Sequence, residues 1–369
     1  DLGLKDEAIK SWEKAEQMDF RWCFPDQIEF IEIFEQVCRI CPVHARAAYY
    51  LGCLLYAVKR YEDAHNAWET SITSDPLFFP AYRNLAISYY NKKNQGEQAA
   101  MSLRRALEIA NDDPRLISEY AVLQRCRGVN AEERLAFLEG RKDIVKTRED
   151  LVLEYATLLI VLGRPKEALE AIMGRTFHPW EGGEGVVSFR YRAALIALAR
   201  KAIMAGNLAE ARKYLKDALE FPENLGENRL PNTNDNEIRF FLGLCASLEG
   251  ENAVAESEYT LALAGDMEPS LPFFYNDAPV DAIFYHALAL VALDEQEYAR
   301  KLFNRLKEYG ENHRMDSISI DYFAVSFPAL QPFNEDLNRT NRVFCTYLIG
   351  LGSLGLGELE TAEQNFKEA

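Results

Sequence analysis

The most constraining feature of this sequence is a small residue followed twelve positions later by an alanine, an arrangement that occurs six times. A large apolar side chain stands four residues after each alanine, and a glycine or aspartate stands seven residues after the small residue in five of the six cases. The pairs are Gly52/Ala64, Ala156/Ala168, Ala199/Ala211, Gly243/Ala255, Ala287/Ala299 and Gly350/Ala362. Small residues let two helix axes approach closely, and glycine ends a helix because it adopts the left-handed conformation without strain. The pattern therefore predicts an all-α chain of antiparallel helix pairs.

Two weaker members complete the series of repeats. Ala86 leads one of them, with its return alanine displaced to Ala99, and Ala121 leads the other, with Glu133 in place of the alanine. The leading residues from 52 to 156 are 34, 35 and 35 residues apart, and those from 156 to 350 are 43, 44, 44 and 63 apart. Because the helix pair keeps its twelve-residue spacing, the additional residues must lie between repeats.

The longer intervals define four connectors between successive repeats, which we name connectors one to four: residues 174–186, 222–236, 266–280 and 311–341. In a repeat array such connectors emerge on the same edge, and long loops in repeat proteins usually serve binding. The alternative is that they cover hydrophobic grooves between repeats, and both interpretations are open at this point. Connector four is apolar over residues 321–328, which predicts that it folds back onto the helices.

The spacing predicts three consecutive segments of one continuous array. Residues 1–41 contain the second helix of an incomplete repeat and an additional helix from Phe24 to about Ile40. Residues 42–173 contain the regular repeats, and residues 174–369 contain the expanded repeats. Neither end carries the polar cap that repeat arrays need for solubility. We therefore expect both ends to continue into a longer protein.

The charge of the chain excludes several kinds of partner. The formal net charge is −17, from 58 acidic and 41 basic residues that form no basic stripe. This charge excludes nucleic-acid binding and argues against an anionic membrane surface. No apolar run reaches the roughly 18 residues of a membrane-spanning helix. Seven scattered cysteines, an odd number, favour a reduced, cytoplasmic protein over a disulfide framework.

Connectors one and two contain the candidate ligand-binding residues, in the stretches 178–185 and 222–228. Adjacent connectors on one edge are neighbours in space, so glycine-rich backbone, an aromatic ring and several carboxylates should meet there. Such a surface is typical of sugar binding, because sugar C–H faces stack on aromatic rings while hydroxyls donate to carboxylates. The predicted ligand-binding residues are His178, Trp180, Glu181, Glu184, Glu223, Asn224 and Glu227. The alternative is a turn in which Trp180 fills the repeat junction and the glutamates are solvated.

The sequence predicts no catalytic residue, metal site or cofactor. Cys38, Cys41 and His44 offer three potential zinc ligands, where a structural site needs four. The GxGxxG pattern at 350–355 lies within the first helix of a repeat rather than after a strand, so it predicts helix packing instead of a dinucleotide site. Glycoside hydrolysis by paired glutamates would need one of two carboxyl separations that the sequence does not determine.

The regular part of the array resembles the tetratricopeptide repeat, most clearly at residues 49–52 and 61–64, at Trp68 and at the closing Pro76. This resemblance implies an α-α solenoid wound as a right-handed superhelix, with the long connectors in its C-terminal half.

The stretches 24–25, 29–34, 83–86, 91–92, 177–185, 222–227 and 347–352 resemble the C-terminal part of a bacterial protein family, and the similarity covers almost the whole chain. Members of that family carry an N-terminal mutarotase-like β-sandwich of unknown function, which implies a connection to carbohydrates. Asn228 departs from the glycine expected after Glu227.

Our leading hypothesis is a non-catalytic tetratricopeptide scaffold in a bacterial, cytoplasmic, carbohydrate-related protein. Its partner would be a protein or the N-terminal domain of its own chain. The alternative is a part of a carbohydrate-active enzyme whose sugar site is shared between the connector edge and that domain. Under both hypotheses, cofactors, nucleic acid and membranes take no part.

Overall fold

The computed structural model describes residues 5–41, 44–178, 183–272, 277–319 and 332–369. Within these ranges the chain forms nineteen α-helices and two short 3-10 helices but no strand, and 70% of the described residues are helical. The predicted all-α, tetratricopeptide-like class is therefore confirmed. The α-helices are α1 (Lys5–Glu16), α2 (Phe30–Ile40), α3 (Ala45–Ala57), α4 (Tyr61–Ser74), α5 (Phe79–Asn91), α6 (Gly96–Ile109), α7 (Pro114–Cys126), α8 (Ala131–Glu139), α9 (Lys142–Val145), α10 (Glu149–Val161), α11 (Pro165–Met173), α12 (Val186–Met204), α13 (Leu208–Asp217), α14 (Asn236–Leu248), α15 (Asn252–Leu261), α16 (Ala282–Ala292), α17 (Gln296–His313), α18 (Leu337–Gly355) and α19 (Leu359–Glu368). The 3-10 helices are Phe20–Trp22 and Glu223–Leu225.

Eight helix pairs correspond to the eight predicted repeats. The pairs are α3/α4, α5/α6, α7/α8, α10/α11, α12/α13, α14/α15, α16/α17 and α18/α19. All six small residues that lead the strong repeats are buried, and so are their six alanines. The additional helix α2 begins at Phe30 rather than at Phe24, because only from there do apolar residues such as Ile31 and Phe34 pack against the core around Trp68.

Each first helix of the strong repeats is followed by a residue with positive φ, including the one that lacks a predicted breaker. Lys59 adopts φ 65° at that position, so its repeat departs in residue type but not in conformation. The two weaker repeats follow the same rule through Asn94 (φ 52°) and Gly128 (φ 74°). Asn94 and Ala99 both lie one residue later than the pattern requires. A single extra residue in the turn therefore explains the displaced alanine.

The leading glycines face the large side chain of their own repeat, sixteen residues later, rather than only the alanine as predicted. A Cβ atom added to any of them would lie within 2.6–2.7 Å of ring carbons of that side chain. The glycine and ring pairs are Gly52 with Trp68, Gly243 with Tyr259, and Gly350 with Phe366. Glycine is thus required because a flat ring lies directly on the helix backbone.

Glu133, which stands in place of the expected alanine of the third repeat, contacts Asn130, the residue that caps helix α8. The Asn130 side chain accepts a hydrogen bond from the Glu133 backbone N–H at 2.8 Å, and its Nδ2 donates to Glu133 Oε1 at 2.8 Å. Asn130 thus satisfies one backbone N–H at the helix N-terminus, and the Glu133 carboxylate holds the Asn130 side chain in place. A cavity of about 260 Å³, lined in part by Tyr120 and Phe137, lies beside this less tightly packed pair.

The chain divides into two compact units. Unit 1 comprises residues 1–151 together with 331–334, and unit 2 comprises residues 152–330 and 335–369. Unit 1 has a core around Trp68 and Leu85, and unit 2 has one around Phe303 and Leu348. The predicted segmentation into 1–41, 42–173 and 174–369 stays a prediction. The apolar stretch of connector four that we expected to fold back lies outside the described residues.

Candidate functional site

The structure describes five of the seven predicted ligand-binding residues of connectors one and two. Trp180 and Glu181 lie outside the described residues, and so does the aromatic platform predicted at Trp180. His178 and Glu223 are exposed, and Glu184 is half-buried. Asn224 and Glu227, the remaining two, are engaged in contacts within the protein.

Connectors one and two contact each other through their backbones. The Phe177 N–H donates to the Asn224 carbonyl at 2.7 Å, and Asn224 Nδ2 donates to the Ile172 and Arg175 carbonyls at 3.3 and 3.0 Å. Phe177 and Leu225 are each only 1% exposed. The contact closes the junction between α11 and the 3-10 helix Glu223–Leu225. Phe177 is therefore a buried side chain of this junction, and the alternative placement of Trp180 stays a prediction.

Gly226 permits this contact. Its φ of 70° is left-handed, and a Cβ atom there would lie 3.0 Å from the Phe177 carbonyl carbon and closer still to the carbonyl oxygen. Both the conformation and the lack of space require glycine.

Glu227 connects the second connector to the start of α12. The Ser188 hydroxyl donates to Glu227 Oε2 at 2.7 Å, and Ser188 is buried in the first turn of that helix. The structure therefore brings the two connectors together, with Asn224 and Glu227 in structural contacts. Ligand binding by the seven residues stays a prediction.

A second group of polar residues, which the sequence analysis missed, lies in unit 2 on the first helices of consecutive repeats. Glu237 precedes Gly243 by six residues, and Asp281 precedes Ala287 by six. The two carboxylates thus occupy equivalent repeat positions and project from the same face. The Tyr285 hydroxyl donates to Glu237 Oε1 at 2.7 Å, and Tyr347 lies close enough to Asp281 for the two side chains to interact. We name Glu237, Asp281, Tyr285, Tyr347 and the nearby Arg200 the Glu237 recess.

Burial raises the pKa of Glu237 to about 7, and the negative charge of Asp281 adds to the shift. The Tyr285 hydrogen bond and the charge of Arg200 act in the opposite direction. Burial likewise raises the pKa of Asp281, against the opposing charge of Arg200. Glu237 and Asp281 are each half-buried residues, so part of each residue reaches solvent.

Arg192, whose charge also acts on Glu237, is already paired. Arg192 Nη2 donates to the Asn234 carbonyl at 2.7 Å and to Asp235 Oδ1 at 2.8 Å, and Arg229 pairs with the same carboxylate. Burial lowers the pKa of Arg192. Because Arg192 is already paired with Asp235, its positive charge offsets the effect of burial on the pKa of Glu237 only in part.

Aromatic rings cluster around Tyr285, the hydrogen-bond partner of Glu237. The ring centroid of Tyr285 lies 5.7 Å from Phe241, 5.7 Å from Phe284 and 6.0 Å from Phe240. The Arg200 guanidinium lies 5.9 Å from the Phe241 centroid. Carboxylates beside aromatic faces attract cations by charge and by the ring quadrupole. The recess is therefore suited to an ammonium or guanidinium group.

Within the described ranges, no three His, Cys, Asp or Glu side chains lie close enough together to hold a metal ion. His44 of the cysteine motif instead places Nδ1 3.6 Å from Glu16 Oε2. The described helices also include none with the length and apolar character needed to cross a bilayer.

The GxGxxG pattern lies inside α18, as predicted, and serves helix packing. Gly352 lies against the Phe303 backbone and Lys307, and Gly355 lies against the Phe303 ring. These glycines let α17 and α18 approach closely.

No protein-family model matches the chain. Among solved structures, it is similar to PilW, described as a widely conserved type IV pilus biogenesis factor, at 16% identity over 60% of this chain and 93% of PilW, with a TM-score of 0.32. A match to pilF of Pseudomonas aeruginosa has 14% identity, covers 59% of this chain and 89% of that one, and has a TM-score of 0.34. A chain of the Naa15/Naa10 complex bound to HypK-THB matches at 17% identity and a TM-score of 0.42 over 99% of this chain, which spans 51% of that one. At these values the similarities concern the helical fold alone, which the helix pairs already establish.

Proposed function

We propose that this chain is a non-catalytic repeat scaffold that docks a protein partner, and that the Glu237 recess receives a basic side chain of that partner. The observation that supports the proposal is the pair of half-buried acidic residues, Glu237 and Asp281, at equivalent repeat positions, where Tyr285 donates to Glu237 and burial raises the pKa of both carboxyls. A carboxylate whose charge is disfavoured, at a place where a ligand can enter, is typical of a binding site.

The chemistry of the recess favours a cationic group of a protein. A lysine or arginine that enters would supply the charge that Arg200 and Arg192 supply only in part, and its stem would pack on the rings of Tyr285 and Phe241. The recess is built from first helices of consecutive repeats, so a partner segment that follows this face meets the same positions in order. The net charge of −17 further favours basic partners.

Binding of short peptides of varied charge tests the proposal. We expect basic peptides to bind the unmodified chain and Glu237→Gln or Asp281→Asn to weaken binding about tenfold, which corresponds to about 1.4 kcal/mol. The matched control is Glu223→Gln, an exposed carboxylate in connector two of the same unit, which should bind like the unmodified chain. Equal binding of acidic and basic peptides would refute the proposal.

For the identity of the partner, we propose the N-terminal β-sandwich domain that the family resemblance implies, in a bacterial, cytoplasmic, carbohydrate-related protein. The proposal rests on that resemblance alone. Copurification of this chain with the separately produced domain tests it, and Glu237→Lys should reduce the yield of the complex. A complex that forms equally well with Glu237→Lys would place the contact elsewhere.

The alternative function is a sugar site on the connector edge, shared with that same domain. The contact between Phe177 and Asn224 supports it because it brings the two connectors together. The use of the Asn224 amide in backbone hydrogen bonds weighs against it.

Tryptophan fluorescence tests the alternative. The other three tryptophans, Trp12, Trp22 and Trp68, are replaced by phenylalanine, and sugars are titrated against Trp180. A saturable response that Glu184→Gln abolishes would favour the sugar site. A flat response to every sugar would leave the docking scaffold.

A further inference from the structure

Residues 332–334 form a short segment of connector four and belong to unit 1. The parts of the chain that precede residue 331 and follow residue 334 belong to unit 2. Within unit 1 the segment contacts the end of α5. Its central side chain, Phe333, is only 1% exposed and packs edge-on against Tyr90, with ring centroids 5.5 Å apart at 81°. A short segment with one buried aromatic side chain is bound much as a separate peptide would be.

One side chain binds the backbone on both sides of Phe333. Asn91 Nδ2 donates to the Pro332 carbonyl at 2.8 Å, and Asn91 Oδ1 accepts from the Asn334 N–H at 2.9 Å. Both hydrogen bonds go to backbone groups, which any peptide possesses. Only Phe333 contributes a buried side chain, so the contact selects an aromatic residue and tolerates variation beside it.

Equivalent repeat positions build the surface that holds the segment. Tyr56 lies four residues after Gly52 and Tyr90 lies four residues after Ala86, so both project from the same face of their first helices. Tyr56 also lies close enough to Asn91 for the two polar side chains to interact. The site is thus part of the repeat surface rather than a feature of the connector.

We infer that Tyr90 and Asn91 form a peptide-binding site on unit 1, specific for an aromatic residue together with its flanking backbone, and that residues 332–334 of the same chain occupy it. A partner segment with an aromatic residue competes with this internal occupant. The site lies on a different unit from the Glu237 recess and does not depend on the proposed function.

Fluorescence anisotropy of a labelled peptide with the sequence of residues 328–338 tests the inference on the full chain. An internal occupant that fills the site nine-tenths of the time weakens external binding about tenfold. We therefore expect the peptide to bind Phe333→Ala at least about tenfold more tightly than the unmodified chain. Asn91→Ala added to Phe333→Ala should remove that gain, and so should alanine in place of phenylalanine in the peptide. Equal binding to the unmodified chain and to Phe333→Ala would overturn the inference.

Because Phe333 is buried, its replacement could unfold the chain, and a second measurement avoids the variant. Hydrogen exchange of the Asn334 amide is followed in the unmodified chain with and without excess peptide. Displacement of the segment should accelerate that exchange at least about tenfold and leave the amides of α18 unchanged. Exchange at Asn334 that stays the same at saturating peptide would equally overturn the inference.

Discussion

At the scale of single residues, the contact between connectors one and two requires a residue without a Cβ atom at position 226. Gly226 lies with its Cα against the Phe177 carbonyl and adopts a left-handed φ. Gly206 provides a comparison, because it has a similar φ of 76° and no neighbour within 4 Å of a Cβ position. Substitutions at the two glycines therefore distinguish the free-energy cost of a left-handed backbone from the free-energy cost of steric crowding.

We predict that Gly226→Ala destabilises the chain more than Gly206→Ala. Both substitutions incur the left-handed penalty of about 1–2 kcal/mol. Gly226→Ala also forces the methyl group against Phe177, and overpacking typically costs about 1–3 kcal/mol. Urea denaturation followed by circular dichroism should show a difference of at least about 1 kcal/mol. Equal midpoints would mean that the connectors separate without cost.

A second prediction at this scale concerns pH. The folded chain holds the Glu237 proton up to a pKa of about 7, whereas the ordinary value is 4.5. Between these pH values the folded state binds more protons than the unfolded state, so this group lowers stability as pH rises. At about 1.4 kcal/mol per pKa unit the loss would be about 3 kcal/mol, which solvent in the recess reduces to roughly 1–3 kcal/mol.

Glu237→Gln should therefore be more stable than the unmodified chain at pH 8 and similar to it at pH 5. The comparison uses urea denaturation at both pH values, with the exposed Glu223→Gln as the control that changes neither. If the effect of Glu237→Gln is the same at both pH values, the carboxylate titrates normally and the recess carries no electrostatic penalty.

At the scale of helices, each pair is held by side chains that leave no space at the crossing. Ala211 on α13 is completely buried, whereas Ala209 on the same helix is exposed. The two alanines have the same helix propensity and differ only in what surrounds them.

We predict that Ala211→Leu destabilises the chain by about 1–3 kcal/mol through overpacking. Ala209→Leu should change stability by less than about 0.5 kcal/mol, as surface substitutions usually do. Thermal unfolding of both variants measures the difference. Similar melting temperatures would show that α12 and α13 do not cross at Ala211.

The helix pairs could be predicted from the sequence because the physical requirement for close crossing falls on a fixed spacing. Small residues must recur where backbones meet, and Ala156 with Ala168 shows this without the structure. The Glu237 recess was missed because its perturbed pKa depends on neighbours from other repeats. Its one local signal was the shared position of two acidic residues before their anchors. The contact of Asn91 with Pro332 could not be predicted, because it joins residues 241 positions apart and follows no repeat spacing.

At the scale of the whole molecule, the repeats interact mainly with their neighbours along the chain, as repeat arrays do. A local defect should therefore spread only a short distance. Gly52 in unit 1 tests this property, because the Trp68 ring lies directly on it. Gly140 is the control, since it has an α-helical φ of −66° and only ordinary contacts at a Cβ position.

We predict that Gly52→Val accelerates hydrogen exchange in α2 to α5 and leaves α13 to α19 unchanged, because local opening follows the loss of local packing. Gly140→Ala should change neither region. Mass spectrometry of peptides from exchanged protein resolves the two regions. Faster exchange throughout the chain would indicate one cooperative structure instead of a chain of local ones.

Because residues 331–334 belong to unit 1, this unit is completed late in the synthesis of the chain. Helices α1 to α9 of unit 1 are complete before residue 151, but its last segment leaves the ribosome about 180 residues later. At about 5–20 residues per second this delay is roughly 10–40 seconds. Throughout that interval the surface around Tyr90 and Asn91 is formed without its internal occupant. A nascent chain therefore presents to the cell a surface that the finished protein covers, and chaperones or early partners meet it first.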